Sequence, residues 1–352
     1  MFFFQKALEK IIQMNDKTLL KFIAVFFAAS PAIIHWLEPE KFPTYWQGLW
    51  WVVVTTTTVG YGDYFPVTKA GMAFGVIVIF AGLFIIGAGI GKITDKFLTW
   101  KRQKEEGKLD YKGKGHYVVI GWSEDKIKDA VGEMLNADLR ADIVLIADLP
   151  KTPFEHERIH YISGDPTEHE TLDRANAAEA KAVIIFAPQG ITPQLADGQT
   201  LLIATTIESY GEKTNRDIYT VAEILKENHR IHFKHAKVDE LILSQQSISY
   251  LIASATIQKG ASKLFMNLLS KQHGDELYAI GKKKHWITYN DAYEELKSLG
   301  AVLVSDHDDT GIIRKLEQPI PEHARLFIIA DELTYRKIAD ASPSASSAAS
   351  DR

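Results

Sequence analysis

The sequence predicts an α-helical membrane part, two spans with a short re-entrant helix and an extended segment between them. A Rossmann-like α/β domain and a small α+β C-terminal lobe follow. Three observations carry this. Residues 71–91 contain no charged side chain, and a helix of that length covers about 31 Å, the thickness of a hydrocarbon core. Residues 22–37 form a second apolar run, which reaches spanning length when residues 18–21 join it and Lys21 snorkels to the interface. From His116 onward, short β-branched runs alternate with helical stretches, the pattern of a parallel, doubly wound sheet.

Average composition hides this asymmetry: of 352 residues 46% are hydrophobic and 24% charged, with a mean hydropathy of -0.09. These values exclude a disordered chain, a coiled coil and a collagen-like fibre. With 0 cysteines there is no disulfide framework, no cysteine zinc site and no thiol nucleophile. A formal net charge of -5 argues against a nucleic-acid partner. Glu9 and Asp16 in the stretch before the first span argue against a secretory signal, although Ala28-Ala29-Ser30 faintly resembles a cleavage site.

Charge sets the expected topology. Lys6, Lys10, Lys17 and Lys21 precede the first span, and Lys92, Lys96, Lys101, Arg102 and Lys104 follow the second; only Lys41 and Lys69 lie between. The positive-inside rule then places both termini in the cytoplasm and residues 38–70 outside, in a multi-pass protein of the plasma or inner membrane. Trp36, Tyr45 and Trp46 suit the outer interface of the lipid bilayer, and Trp100 the inner one. Residues 1–17 alternate apolar and polar side chains with helical spacing, as a helix lying on the inner leaflet does.

Between the spans, residues 46–57 are apolar and about as long as a helix that enters the membrane partway. Thr58-Val59-Gly60-Tyr61-Gly62-Asp63 follows. Glycines alternating with Val59 and Tyr61 permit backbone angles closed to other residues, so successive carbonyls can face one side. Four such loops around an axis make rings of oxygens that replace the hydration shell of a potassium ion, with the Thr58 hydroxyl adding a further ring.

Residues 18–99 resemble the pore module of two-span tetrameric potassium channels, and the motif Thr57–Asp63 is the most specific part of that likeness. The resemblance implies a homotetramer whose filter is Thr58, Val59, Gly60, Tyr61 and Gly62, with potassium at Thr58–Tyr61. It further implies an aromatic cuff of Trp50, Trp51 and Tyr61, a hydrogen bond from an indole, that of Trp50, to Asp63, and a gating hinge at Gly82. Some members carry a glutamate where this chain has Val54, so inactivation of their type should be weaker here. Gly87, Gly89 and Gly91 either line the inner mouth or serve helix packing. Asp95 either rings the cytoplasmic entrance or neighbours Lys92 and Lys96.

Residues 100–115 are polar and read as a linker. Strands are expected at 116–120, 142–147, 158–163, 182–186 and 217–221, with helices to about 139 and near 168–177 and 195–210. The turn after the first strand, Gly121-Trp122-Ser123-Glu124-Asp125-Lys126, keeps only the first glycine of a G-x-G-x-x-G fingerprint. Ser123 can cap the following helix. Glu124 and Asp125 put negative charge where a pyrophosphate would sit. Asp148 closes the second strand, slightly beyond the usual ribose-binding position.

Residues 117–339 resemble the regulator-of-potassium-conductance (RCK) domain, on Val118–Glu124, Ser163–Thr167, Asp148 and the run 182–186. The resemblance implies that Asp148 and Asp165 face an adenosine moiety, with Gly121 and Ser123 at a nucleotide, NAD or an adenine nucleotide; Asp165 reads equally as a turn residue before Pro166. Calcium-gated members use carboxylates after their fourth and fifth strands. Here the fourth offers none, and Glu223 with Glu227 are the divalent-cation candidates. Asp306-His307-Asp308-Asp309 is either a further oxygen-rich cluster or a solvated loop. The N-lobe would run 116–246. Residues 247–270, amphipathic at helical spacing, would cross to a partner domain to build RCK dimers in a gating ring. The C-lobe would fill 271–340, with strands near 277–280, 301–304 and 325–329, and a low-complexity tail 341–352. Extra RCK copies would complete a ring of eight, but no methionine between Met72 and Met134 offers an internal start for them. No catalytic constellation appears in 116–340, so the chain reads as a ligand-gated potassium channel rather than an enzyme. The alternative is a regulatory membrane subunit of a potassium transport system.

Overall fold

The computed structural model describes residues 15–270 and 274–340. The expected leaflet helix lies, but for residues 15–17, outside the described residues, and so does the low-complexity tail. The chain divides into two compact units, residues 1–103 and 104–352.

In the first unit α1 (Asp16–Leu37) starts where the Asn15 side chain accepts the Lys17 amide. The re-entrant segment is α2 (Tyr45–Thr56), opened by a reciprocal capping box between Thr44 and Gln47. α3 (Lys69–Glu105) is the long second span. Both α1 and α3 are long and apolar enough to cross a membrane. Ile34, Phe42, Trp51, Val52 and Val78 make the core of this unit. Gly48 lets α2 approach α1: an added Cβ would lie 2.9 Å from the Pro31 carbonyl oxygen. Most of α3 stays exposed within one chain, Phe80 at 68% for example. Such a surface suits lipid or further copies.

The second unit holds two sheets. β1 (Tyr117–Ile120), β2 (Ile143–Ala147), β3 (Ile159–Ser163), β4 (Ala182–Ile185), β5 (Thr220–Ile224) and β6 (Glu240–Leu243) form one parallel sheet in the order β3-β2-β1-β4-β5-β6. α4 (Glu124–Ala137), α5 (His169–Arg174) and α6 (Pro193–Thr214) are its main crossovers. One core gathers Val118, Ile120, Val144 and Ile146, the other Val119, Leu145 and Tyr161, so neighbouring residues of a strand face opposite sides. The fifth strand lies three residues later than expected. The sixth went unread because Asp239 and Glu240 interrupt its apolar pattern.

The expected linker is largely structured. α3 runs to Glu105, and the chain from there is bonded to the sheet domain. The Thr152 amide donates to the Glu105 carbonyl (2.7 Å) and the Ser163 amide to that of Gly107 (3.1 Å). The Tyr111 amide donates to the Arg174 carbonyl (2.8 Å). Gly107 is at φ +66 with the Ser163 amide directly against it, which leaves no room for a Cβ. The expected crossover helix is two helices, α8 (Ser244–Ile257) and α9 (Ala261–Leu269), counting Arg230–Phe233 as α7. Gly260 breaks them apart at φ +89. Neither α8 nor α9 buries a residue.

The C-lobe pairs β7 (Glu276–Gly281), β8 (Val302–Asp306) and β9 (Arg325–Ala330) antiparallel in the order β7-β9-β8, with α10 (Tyr289–Leu299) and α11 (Glu332–Asp340). Trp286 is fully buried there. Its indole donates to Glu295 at 2.7 Å, beside Lys283 at 2.9 Å and His285 at 2.5 Å. Burial pushes the Glu295 carboxyl up, but His285, Lys283 and Trp286 outweigh it and hold it at about 2. A carboxyl depressed on folding stabilises fully above its ordinary value of 4.5, and that stabilisation is lost as pH falls toward 2. Glu295→Gln should therefore flatten the loss of thermal stability between those pH values. Parallel melting curves for the two proteins, followed by tryptophan fluorescence, would contradict this.

Candidate functional site

The segment after α2 alternates in backbone handedness. Thr58 (φ +61), Gly60 (φ +59) and Gly62 (φ +77) are left-handed, with Val59 and Tyr61 between them on the ordinary side. For Thr58 this costs roughly 1–2 kcal/mol, so something must hold it. The end of α2 does. The Thr58 amide donates to the Thr55 carbonyl (3.1 Å), and those of Val59 and Gly60 to the Val54 carbonyl (3.0 and 3.2 Å). Among the described residues no donor reaches the carbonyls of Thr58, Val59, Gly60, Tyr61 or Gly62. The first three amides are thus engaged, and the oxygens face no donor of the described residues.

Trp50 braces this segment. Its indole donates to Asp63 Oδ2 at 2.7 Å, and its ring stacks on Tyr61 at 6.0 Å and 5°. Trp51 does not join them: it is buried, with its ring 5.4 Å from that of Phe42. Adjacent helix positions point about 100° apart, and within one chain the Trp51 ring meets Phe42 while that of Trp50 meets Tyr61. Val54 is buried and supplies its carbonyl, not a side chain, to the filter amides.

Gly82 lies at a close helix contact. An added Cβ would stand 2.6 Å from Thr56 Cβ and Cγ2 and 2.7 Å from its Cα. The glycine therefore has a packing reason besides any flexibility. Gly87, Gly89 and Gly91 have nothing within 4 Å of such a Cβ. Lys92 and Lys96 pair with Asp16 at 3.2 and 2.7 Å rather than with exposed Asp95.

One residue of this unit escaped the sequence reading. Glu38, 4% exposed, accepts the Val67 amide (2.9 Å), the Thr68 amide (2.8 Å) and the Thr68 hydroxyl (2.7 Å). It thereby caps the start of α3 from the end of α1, and Gly71 leaves space for its carboxylate. A carboxylate directly after an apolar run was the available signal. Glu38→Ala would remove the acceptor of the Val67 and Thr68 amides, at about 0.5–1.5 kcal/mol each. A lower melting point in detergent, partly restored in Glu38→Gln, is the expected result.

In the second unit the sheet order reverses between β1 and β4, the place where such folds bind ligands. Gly121 (φ +109) turns the chain into α4, 3.2 Å from the Phe186 carbonyl by its added Cβ. Ser123 occupies the cap position but makes no cap bond; its hydroxyl is buried without a partner. That orphaned group fits a ligand oxygen at the helix start. A cavity of about 430 Å³ opens at the ends of β2 and β3, lined by Glu106, Lys108, Asp148, Leu149, Pro150 and Ser163. Asp148 is thus one of the residues that face this cavity. Asp165 is not in this lining: its carboxylate accepts the Thr167 amide (2.8 Å) and hydroxyl (2.7 Å), which hold it below the usual range. It is a turn residue.

The divalent candidates do not fit a metal. Both Glu223 oxygens lie 2.7 Å from Lys126 Nζ, and Glu227 is exposed and paired with Arg230 at 3.1 Å. In the acidic loop Asp306 is held by Tyr289 (2.6 Å) and His307 (2.8 Å), and Asp309 by Lys315 (2.6 Å). Among the described residues no three histidine or carboxylate groups are arranged to hold a metal ion.

Comparison with known proteins agrees with both halves. A family model described as an ion channel matches residues 21–99. One described as the calcium-activated potassium channel slowpoke-like RCK domain matches residues 112–233. The chain is 32% identical over 217 residues to the candidate potassium channel protein YugO of Bacillus subtilis, covering 62% of this chain and 65% of YugO's length. It is 23% identical over 286 residues to the calcium-gated potassium channel TvoK of Thermoplasma volcanium, covering 78% of this chain and 80% of TvoK. The solved GsuK channel bound to NAD aligns with 90% of this chain and 57% of its own, at 13% identity and a TM-score of 0.45. Residues 21–99 are therefore an ion-channel domain and residues 112–233 a slowpoke-like RCK domain, joined in one chain.

Proposed function

We propose that this chain is the subunit of a homotetrameric potassium-selective channel gated by an intracellular ligand. The observation that carries it is the filter segment: alternating left-handed residues at 58, 60 and 62, the amides of residues 58–60 tied to α2, and carbonyls that no described donor reaches. Four such segments around an axis supply stacked oxygen rings of the kind that replace potassium's water. Gly82 passes the end of α2 at van der Waals range, so movement of α3 bears on the filter. The lysines flanking the two spans support cytoplasmic termini. The RCK domain would sense its ligand there. The cavity at Asp148 and Ser163, with the unpartnered Ser123 hydroxyl, supports an adenine nucleotide such as ADP or NAD. The uncovered faces of α8 and α9 support pairing of RCK domains into a ring.

The purified chain in potassium-loaded liposomes tests the reading. Potassium flux well above sodium flux is expected from the chain alone. Absence of flux, with transport restored only on adding a separate pore protein, would assign it instead to a regulatory subunit.

A further inference from the structure

Glu223 sits at the end of β5 with its side chain 7% exposed. A carboxylate so placed must be protonated or matched by positive charge. The chain supplies that charge itself. Lys126 Nζ, from the first turn of α4, lies 2.7 Å from each Glu223 oxygen, and the Ala187 amide, just beyond β4, donates to Oε2 at 2.9 Å. Lys126 and Glu223 are 97 residues apart in sequence. Their bond spans the carboxyl end of the sheet, and Lys126 fills the third glycine position of the incomplete fingerprint.

We propose that Lys126 is a tethered cation holding the position at Glu223 that a divalent ion would otherwise take, so the ligand of this domain is not a divalent cation bound through Glu223 and Glu227. The proposal rests on reading residues 104–340 as a ligand-sensing domain, and it removes one class of ligand from that reading. A tethered ammonium competes intramolecularly, at an effective concentration in the millimolar range or above. A free divalent ion must displace it. The remaining neighbours do not help the newcomer. The Ala187 amide presents a hydrogen to the carboxylate, and Glu227 is engaged by Arg230. The Lys126 side chain is 32% exposed, so its ammonium has a path to water and the position tolerates replacement.

The test uses the full chain in lipid nanodiscs, with calcium alone as probe, read by titration calorimetry and thermal unfolding. Lys126→Gln should bind calcium about tenfold or more tightly than wild type, because the tethered competitor is gone, and its melting point should rise with calcium. Lys126→Arg, and Lys126→Gln combined with Glu223→Gln, should behave like wild type. An unchanged calcium isotherm in folded Lys126→Gln would overturn the proposal. If that variant does not fold, wild type and Glu223→Gln decide: equal isotherms support the tethered cation, and weaker binding in Glu223→Gln overturns it. Because the readout is binding, failure of potassium flux would count against the channel reading and leave this result standing.

Discussion

Gly60→Ala is expected to abolish potassium conductance while leaving the protein folded. Gly60 stands at φ +59, and an added Cβ there meets nothing within 4 Å in its own chain. The penalty is therefore one of backbone handedness, roughly 1–2 kcal/mol per copy. In the proposed tetramer four copies would share one filter, which would multiply the penalty while leaving each fold intact. Rotating the adjoining peptide would relieve the strain, and in the proposed tetramer that rotation would turn a carbonyl out of its ring in every subunit. Liposome flux should fall by about 100-fold or more, since a filter lacking one ring no longer replaces an ion's hydration shell. Gly132→Ala is the control. It sits inside α4 with ordinary φ and open space around it, so alanine there should be neutral or slightly stabilising. Flux from Gly60→Ala equal to wild type would remove the filter from these residues.

Gly82→Ala should disturb conduction itself, not only opening. A hinge glycine predicts altered open probability with selectivity intact. The contact with Thr56 predicts more. The new Cβ would stand 2.6–2.7 Å from Thr56 Cβ, Cγ2 and Cα, and Thr56 cannot swing aside. It is the last residue of α2, 3% exposed, with its hydroxyl on the Val52 carbonyl at 2.7 Å. Relief requires α3 and the end of α2 to part, and the filter begins two residues later. Overpacking of this kind costs about 1–3 kcal/mol. A reduced melting point, with a potassium-to-sodium flux ratio lowered about tenfold, is expected; 1.4 kcal/mol at the filter suffices for that. Gly87→Ala, with no neighbour within 4 Å, should leave both near wild type. Wild-type selectivity in Gly82→Ala with changed gating would restore the simple hinge.

What was legible in the sequence was local or periodic. The filter could be read because handedness is a property of single residues, and glycine at alternate positions announces it. The two spans followed from length and charge. Strands β1 to β4 appeared as β-branched runs, since a strand buried on both faces needs an unbroken apolar stretch, and β7 to β9 as short apolar runs of an antiparallel sheet. β6 was missed where a four-residue edge strand opens on Glu240 directly after Asp239. The helix pair after it was read as one because Gly260 inside an amphipathic pattern does not reveal a φ of +89.

Tertiary structure decided which charges find each other. Residue types at 38, 126, 163 and 223 were plain in the sequence. That Glu38 caps a helix 29 residues away, that the stretch after Glu105 bonds to β3, and that Lys126 neutralises Glu223 were not. A buried carboxylate takes whichever donor the completed fold brings within about 3 Å, and that distance is set by packing between segments far apart in sequence. Backbone chirality and hydrophobic period act within a few residues, so the sequence alone determined the glycine-alternating segment and strands β1 to β4 of the sheet. The partners of buried charge, and with them the ligands the domain can admit, exist only once the chain has folded.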